Sequence, residues 1–212
     1  MDDSLSVRII TSKTGREFVK KYHYAHRAPS CVVAFGLYKS EDLIGVITYG
    51  IPASNNVRLI CGEEYKINVL ELTRLFIFDV EIKNIESWFI ARTFELLRQY
   101  FPHFFILVSY ADTDHDHVGY VYQATNWIYT GTSSKGGPQE YIVDGIKRHT
   151  RWVNHNGGVE KVRNEAKEFI PVKRSIKHRY VYFLKKRRKM MHYLKFERKD
   201  YPKLDDNIHG VR

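Results

Sequence analysis

Asp112 closes the run FFILVSYAD, an apolar stretch that ends in Ser109, Tyr110 and Asp112. Functional groups in open α/β sheets gather beyond the carboxyl ends of the strands, and a carboxylate there can accept or orient a proton. After Thr113 come Asp114, His115, Asp116 and His117, and all four are metal-ligand types. Their spacing matches no metal motif, and adjacent His and Asp residues on a loop are more often solvated than ligating. A third candidate is the basic run Lys185, Lys186, Arg187, Arg188 and Lys189, followed by His192, Tyr193 and Phe196. Lys and Arg neutralise phosphates while aromatic rings pack on bases or sugars, so the mixture suits nucleic acid. The plainer alternative is a solvated basic tail.

Asp112 has to be positioned by the elements around it. Val69 to Phe78 is apolar on both faces in part, as expected of a central strand. Glu71 and Arg74 interrupt it, and on composition alone they face solvent at a strand end as readily as they serve a site. Asn84 is placed to cap a helix from Ile85 to Tyr100, with Glu86 in its first turn. Ile90, Phe94, Leu97 and Phe101 form one apolar face of that helix, and Pro102 stops it. Phe104 to Val108 is a second short strand. A right-handed crossover makes the two strands parallel.

Upstream, residues 7–10 read as a strand and Gly15 to Tyr22 as a helix capped by Thr11 or Ser12. His23, Tyr24 and His26 follow, where an imidazole would meet the negative end of the helix. Cys31–Tyr38 and Leu43–Tyr49 form a hairpin. Downstream, Gly119 to Thr125 is a short helix carrying Tyr120 and Tyr122, either as site residues or as core filler. Trp127–Thr130 is a strand. Asp144-Gly145 joins a hairpin of residues 140–143 and 146–149. A charged helix over Val159–Phe169 and a last strand over Arg179–Leu184 complete the reading.

Residues 171–212 hold fourteen Lys and Arg against four Asp and Glu, so the whole formal excess of +10 falls there. That asymmetry points to a polyanion. The chain accordingly divides into a catalytic domain over 1–170 and a basic extension over 171–212, made of the last strand and a nucleic-acid-contacting tail. No apolar run approaches the ~18–20 residues of a membrane span, and the acidic start lacks a signal-peptide core. Cys31 and Cys61 form no motif and read as ordinary buried thiols.

The order of elements is similar to the acyl-coenzyme-A-dependent N-acetyltransferase (GNAT) fold, an α/β (α+β) architecture with a mixed central sheet flanked by helices. The Gly-rich pyrophosphate turn of that fold is replaced here by KNIESWF. The stretches LELTRLFIFD, NIESWFIAR, LVSYAD, HVGYVYQATNWIYTG and PVKRSIKHRYVYF more specifically resemble the phage Mom family of DNA adenine-modification proteins. The likeness runs from about Tyr22 to Leu184. It implies conversion of adenine in double-stranded DNA to the N6-carbamoylmethyl form, in the cytoplasm of the infected host, protecting phage DNA from restriction. It also implies catalytic roles for His23, Tyr24, Asp112 and Tyr122, and donor binding by Arg74 and Ser87. The donor expected is acetyl-coenzyme A (acetyl-CoA) or another acyl or glycine-derived species. Iron is a further expectation, with His117 the one ligand named. The competing readings are an N-acetyltransferase for a protein or small molecule, and a non-catalytic DNA-binding protein on the same fold.

Overall fold

The computed structural model describes residues 4–23, 28–113, 117–133, 140–172 and 176–204. The chain opens with β1 (Leu5–Ile10), α1 (Ser12–Tyr22) and the hairpin β2 (Val33–Lys39) and β3 (Asp42–Gly50). The short α2 (Asn55–Arg58) and a 3-10 turn (Glu63–Asn68) lead into β4 (Val69–Ile77), α3 (Ile85–Tyr100) and β5 (Ile106–Asp112). Then come α4 (Tyr120–Ala124), β6 (Ile128–Thr132), β7 (Glu140–Val143), β8 (Ile146–His149), α5 (Thr150–His155) and α6 (Gly158–Glu165). β9 (Phe169–Val172), β10 (Lys177–Phe183) and α7 (Arg187–Tyr193) complete the order.

Seven strands form one sheet in the order β1-β2-β3-β4-β5-β10-β6. Every neighbouring pair in it is antiparallel except β4 and β5, which are parallel and bridged by α3 as expected. Alternation along the strands divides the sheet into two apolar faces. Leu70, Leu72, Leu107 and Ala111 pack with Phe89, Ile90, Phe94 and Leu97 of α3. Val69, Ile106, Val108, Val181 and Phe183 pack on the other face with Ile60, Tyr65 and Met190 of α7.

β7, β8 and β9 make a separate three-stranded sheet, closed over its own small core by α5 and α6 through Val153 and Val162. The Asp144-Gly145 turn forms as expected, with positive φ at both residues. Asp144 Oδ1 also accepts hydrogen bonds from the Lys167 and Glu168 amides, which fixes α6 against the hairpin.

Four expectations change. The charged helix expected to reach Phe169 ends at Glu165, and Phe169 opens β9 instead. β5 runs through Asp112 instead of ending at Val108, because β10 pairs with it at every position from Ile106 to Asp112. Asn84 occupies the N-cap position of α3 but its side chain makes no capping bond, since its backbone is left-handed (φ 61°). The basic run is a helix start docked on the sheet, and the segment after it stays on the body. Met190 is buried, and the Lys195 and Lys199 amides donate to the Ile60 and Tyr129 carbonyls.

Candidate active site

β4 and β5 pair for three residues only: Val69 with Ile106, Leu70 with Leu107, and Glu71 with Val108. Beyond them the strands part. Ser109 Oγ sits in the fork, 3.2 Å from the Leu72 carbonyl and 2.8 Å from the Tyr122 hydroxyl. A cleft of about 970 Å³ opens there, and its walls include His23, Arg74, Asp112, His117 and Tyr122. Thus residues spread across 100 positions of sequence meet at the splay of two parallel strands.

A bulge in β4 sets which way Arg74 faces. Tyr49 pairs with Leu72 and Thr48 with Arg74, so Thr73 is an extra residue on the β4 side. The Thr73 hydroxyl lies 3.0 Å from the Thr48 carbonyl, 3.1 Å from the Ser30 carbonyl and 2.8 Å from Thr48 Oγ1. The bulge shifts the alternation by one, and Arg74 joins Glu71 on one face while Leu72 and Leu75 stay with the core on the other. Arg74 donates from Nη1 to the Thr73 carbonyl at 2.6 Å. Its Nε is buried with no partner among the described residues, an opening for an anionic acceptor.

Asp112 stands opposite Lys177 across β5 and β10, and Lys177 Nζ approaches Asp112 Oδ2 to 3.1 Å. Glu71 lines the same cleft. Burial pushes its carboxyl above the ordinary 4.5, against the opposing pull of the Arg74 and Lys177 cations. Glu71 is therefore a cleft residue that composition left undecided; the signal that places it is the bulge, which a single sequence does not display. Arg179 also enters the cleft, from β10, and burial lowers its pKa.

His23 is buried at the end of α1, where its amide donates to the Val19 carbonyl, and its side chain reaches the cleft. His23 thus stands both at the helix end and in the cleft wall. Tyr122 is buried on α4 against Trp127 and Tyr180, so it serves the core and the cleft together. Gly119 precedes it with φ 80°, and a Cβ there would meet the Tyr180 ring at 2.6 Å. Only glycine fits this turn into α4. Tyr24 lies outside the described residues.

Ser87 is not brought to this cleft. It lines a second hollow of about 440 Å³ with Asn84, Trp88, Ala124, Asn126 and Tyr182, and donates to the Asn84 carbonyl at 3.0 Å. The first-turn amides of α3 face no capping side chain, which suits an anion, but Glu86 stands beside them and opposes one. The forked strands fit an extended acyl donor better than the α3 start fits its pyrophosphate. Iron fits poorly: no three His, Cys, Asp or Glu side chains converge among the described residues, and Asp114, His115 and Asp116 lie outside them.

The basic run divides by residue. Lys185 donates to the Pro102 carbonyl at 2.5 Å and covers the Phe105 ring, and Arg187 donates to the Asn126 carbonyl at 3.2 Å. Lys186 is the left-handed residue that starts α7, and Arg188 and Lys189 are exposed. α7 covers the same sheet face that presents Val108, Tyr110 and Asp112, and Phe196 just beyond it reaches the cleft.

The profile of the Mom protein family matches residues 4–203. The methylcarbamoylase mom of Escherichia phage Mu is 29% identical over 205 residues, covering 94% of this chain and 84% of that one. Among solved structures, yncA from Salmonella typhimurium, assigned as an acetyltransferase and solved with its cofactor acetyl-CoA, superposes with a TM-score of 0.51 at 9% identity. It aligns over 87% of this chain and 96% of its own. A variant of the spermidine N-acetyltransferase SpeG from Vibrio cholerae also gives 0.51, at 10% identity over 87% and 96%. These likenesses show a GNAT-type fold.

Proposed function

Because the chain belongs to the Mom protein family, we propose that it is a phage DNA-modifying transferase, converting adenine in DNA to N6-carbamoylmethyladenine in the cleft between β4 and β5. The observation that carries this is the convergence of His23, Arg74, Asp112 and Tyr122 at the fork. The Mu relative's name, a methylcarbamoylase, supports the group transferred. The product would shield phage DNA from restriction in the host cytoplasm.

The exocyclic amine of adenine is a poor nucleophile because its lone pair is delocalised into the ring. It is also stacked and paired inside the duplex, so the base has to be extruded to react. A cleft of this volume with aromatic walls at Tyr110, Tyr120 and Phe196 accepts a flipped base. Asp112 takes or orients the amine proton, with Lys177 holding its carboxylate in place. Tyr122, hydrogen-bonded to Ser109, returns a proton to the leaving group in this reading. Arg74 faces the anionic part of the donor with the N–H groups not spent on Thr73.

An acyl donor extended along the fork supplies the transferred group. A carbamoylmethyl group contains a nitrogen and has the same atoms as a glycyl group, whereas acetyl-CoA alone lacks that nitrogen. A glycine-derived acyl donor therefore accounts for the product's atoms; acyl transfer alone gives the N6-glycyl amide, so the carbamoylmethyl isomer requires a later rearrangement that exchanges the N6–carbonyl bond for an N6–methylene bond and leaves the glycine nitrogen on the carbonyl carbon.

Nucleoside mass spectrometry of DNA from bacteria expressing the protein tests the reading. Carbamoylmethyladenine is expected, carrying label from isotopic glycine. Acetylated protein or polyamine with unmodified DNA would favour an ordinary N-acetyltransferase. DNA binding with no modified base would favour a non-catalytic binder.

A further inference from the structure

We propose that Arg179, backed by Phe196, is a phosphate subsite in the wall of the cleft, taking either a DNA phosphodiester or a phosphate of the donor. It deepens the reading above and rests on it for the identity of the two ligands.

Three observations carry it. The guanidinium is held in one plane: Nε donates to Thr130 Oγ1 at 2.9 Å, Nη2 donates to the Thr130 carbonyl at 2.9 Å, and the Phe196 ring lies 3.5 Å from it, centroid to Cζ. Both Arg179 and Phe196 line the cleft, on the side of β10 that also presents Lys177. No carboxylate pairs with Arg179 among the described residues, while Lys177 has Asp112. The groups that face Arg179 electrostatically are the Tyr110 and Tyr129 hydroxyls.

A half-buried cation without a counter-charge is an incomplete arrangement, because desolvation disfavours it until an anion arrives. Thr130 leaves Nη1 uncommitted, with two N–H groups on the edge of a fixed plane. That geometry matches phosphate oxygens, which guanidinium recognises by its fork of donors. Phe196 excludes water from one face and strengthens the interaction. The tail thus has a second role: it closes the substrate wall through Phe196 as well as carrying charge.

The two sources of phosphate separate by direct binding. Affinity for a short adenine-containing duplex, measured by fluorescence anisotropy across a salt series, is compared by calorimetry with affinity for acetyl-CoA, which carries the phosphates of a coenzyme-A thioester donor whichever acyl group it holds. Wild type is set against Arg179→Met and Arg179→Lys. If the phosphate is DNA's, Arg179→Met weakens duplex binding roughly tenfold or more and lowers the salt slope by about one counterion, with acetyl-CoA binding unchanged. If it is the donor's, the losses fall on acetyl-CoA. Arg179→Lys keeps the charge but loses the two-point grip on Thr130; it retains the salt slope and still loses affinity. Unchanged affinity for both ligands in Arg179→Met overturns the proposal, as does a wild type that binds neither. Should Arg179→Met fold poorly, Arg179→Lys decides: wild-type affinity for both ligands overturns the proposal. Mass spectrometry of DNA from the same cells reports the modification reading separately, so a protein that binds through Arg179 but modifies nothing is recognised as such.

Discussion

Glu71 and Asp112 are carboxylates of one cleft in different circumstances. Asp112 has its partner close by in Lys177, while Glu71 is partly buried and its pKa is raised on balance. A carboxyl whose folded pKa exceeds its unfolded value favours folding only while protonated. Its contribution to stability falls as pH rises from the ordinary 4.5 through the raised value, and is constant above it. Glu71→Gln, which mimics the protonated form, is therefore expected to raise the melting temperature at pH 8 and to leave it unchanged near pH 3.5. Thermal scans at both pH values check this; an equal effect at each would deny the burial cost. Little of this was visible in the sequence. Asp112 and Lys177 are 65 positions apart, and their meeting depends on β10 inserting beside β5. Arg74 reaches the site through an extra residue at Thr73, and a bulge has no signature in one apolar run.

At the scale of elements, the β4-α3-β5 unit was legible because α3 has one clear apolar face and both strands are short and apolar. The role of α7 was not legible. Basic residues dominate its start, and the apolar packing that docks it comes from Met190 and its neighbours Met191, Leu194 and Phe196. Two opposite experiments separate its roles. Met190→Ala should cost ~2–5 kcal/mol of stability by leaving a cavity, measured by urea unfolding. Arg188→Glu with Lys189→Glu should leave stability nearly unchanged. It should flatten the salt dependence of DNA binding by ~0.9 for each phosphate no longer neutralised. An unchanged slope would mean that this exposed corner never meets DNA. Deleting residues 185–212 would not isolate charge, since it also removes Met190 from the core and Phe196 from the cleft wall.

On the scale of the whole molecule, the proposed function asks one cleft to hold both an extended donor and a bulky acceptor, and a sheet that forks between two parallel strands has room for this. Residues from both faces line the cleft, Leu72 and Tyr122 from the α3 side and Glu71 and Tyr110 from the other. Under the proposed function, donor and base approach one another through the sheet. The basic excess of residues 171–212 includes Lys177 and Arg179, which β10 carries into the cleft itself. The central claim is that adenine modification occurs at this fork, with Asp112 handling the proton. Asp112→Asn keeps size and the strand pairing with Lys177 but cannot accept a proton as a carboxylate does. The decisive measurement is modified adenine by nucleoside mass spectrometry, comparing wild type with Asp112→Asn at matched thermal stability and matched DNA affinity. Carbamoylmethyladenine in the wild type and a loss of at least ~100-fold in the variant is the predicted result. Wild-type levels of the modified base in Asp112→Asn would contradict it.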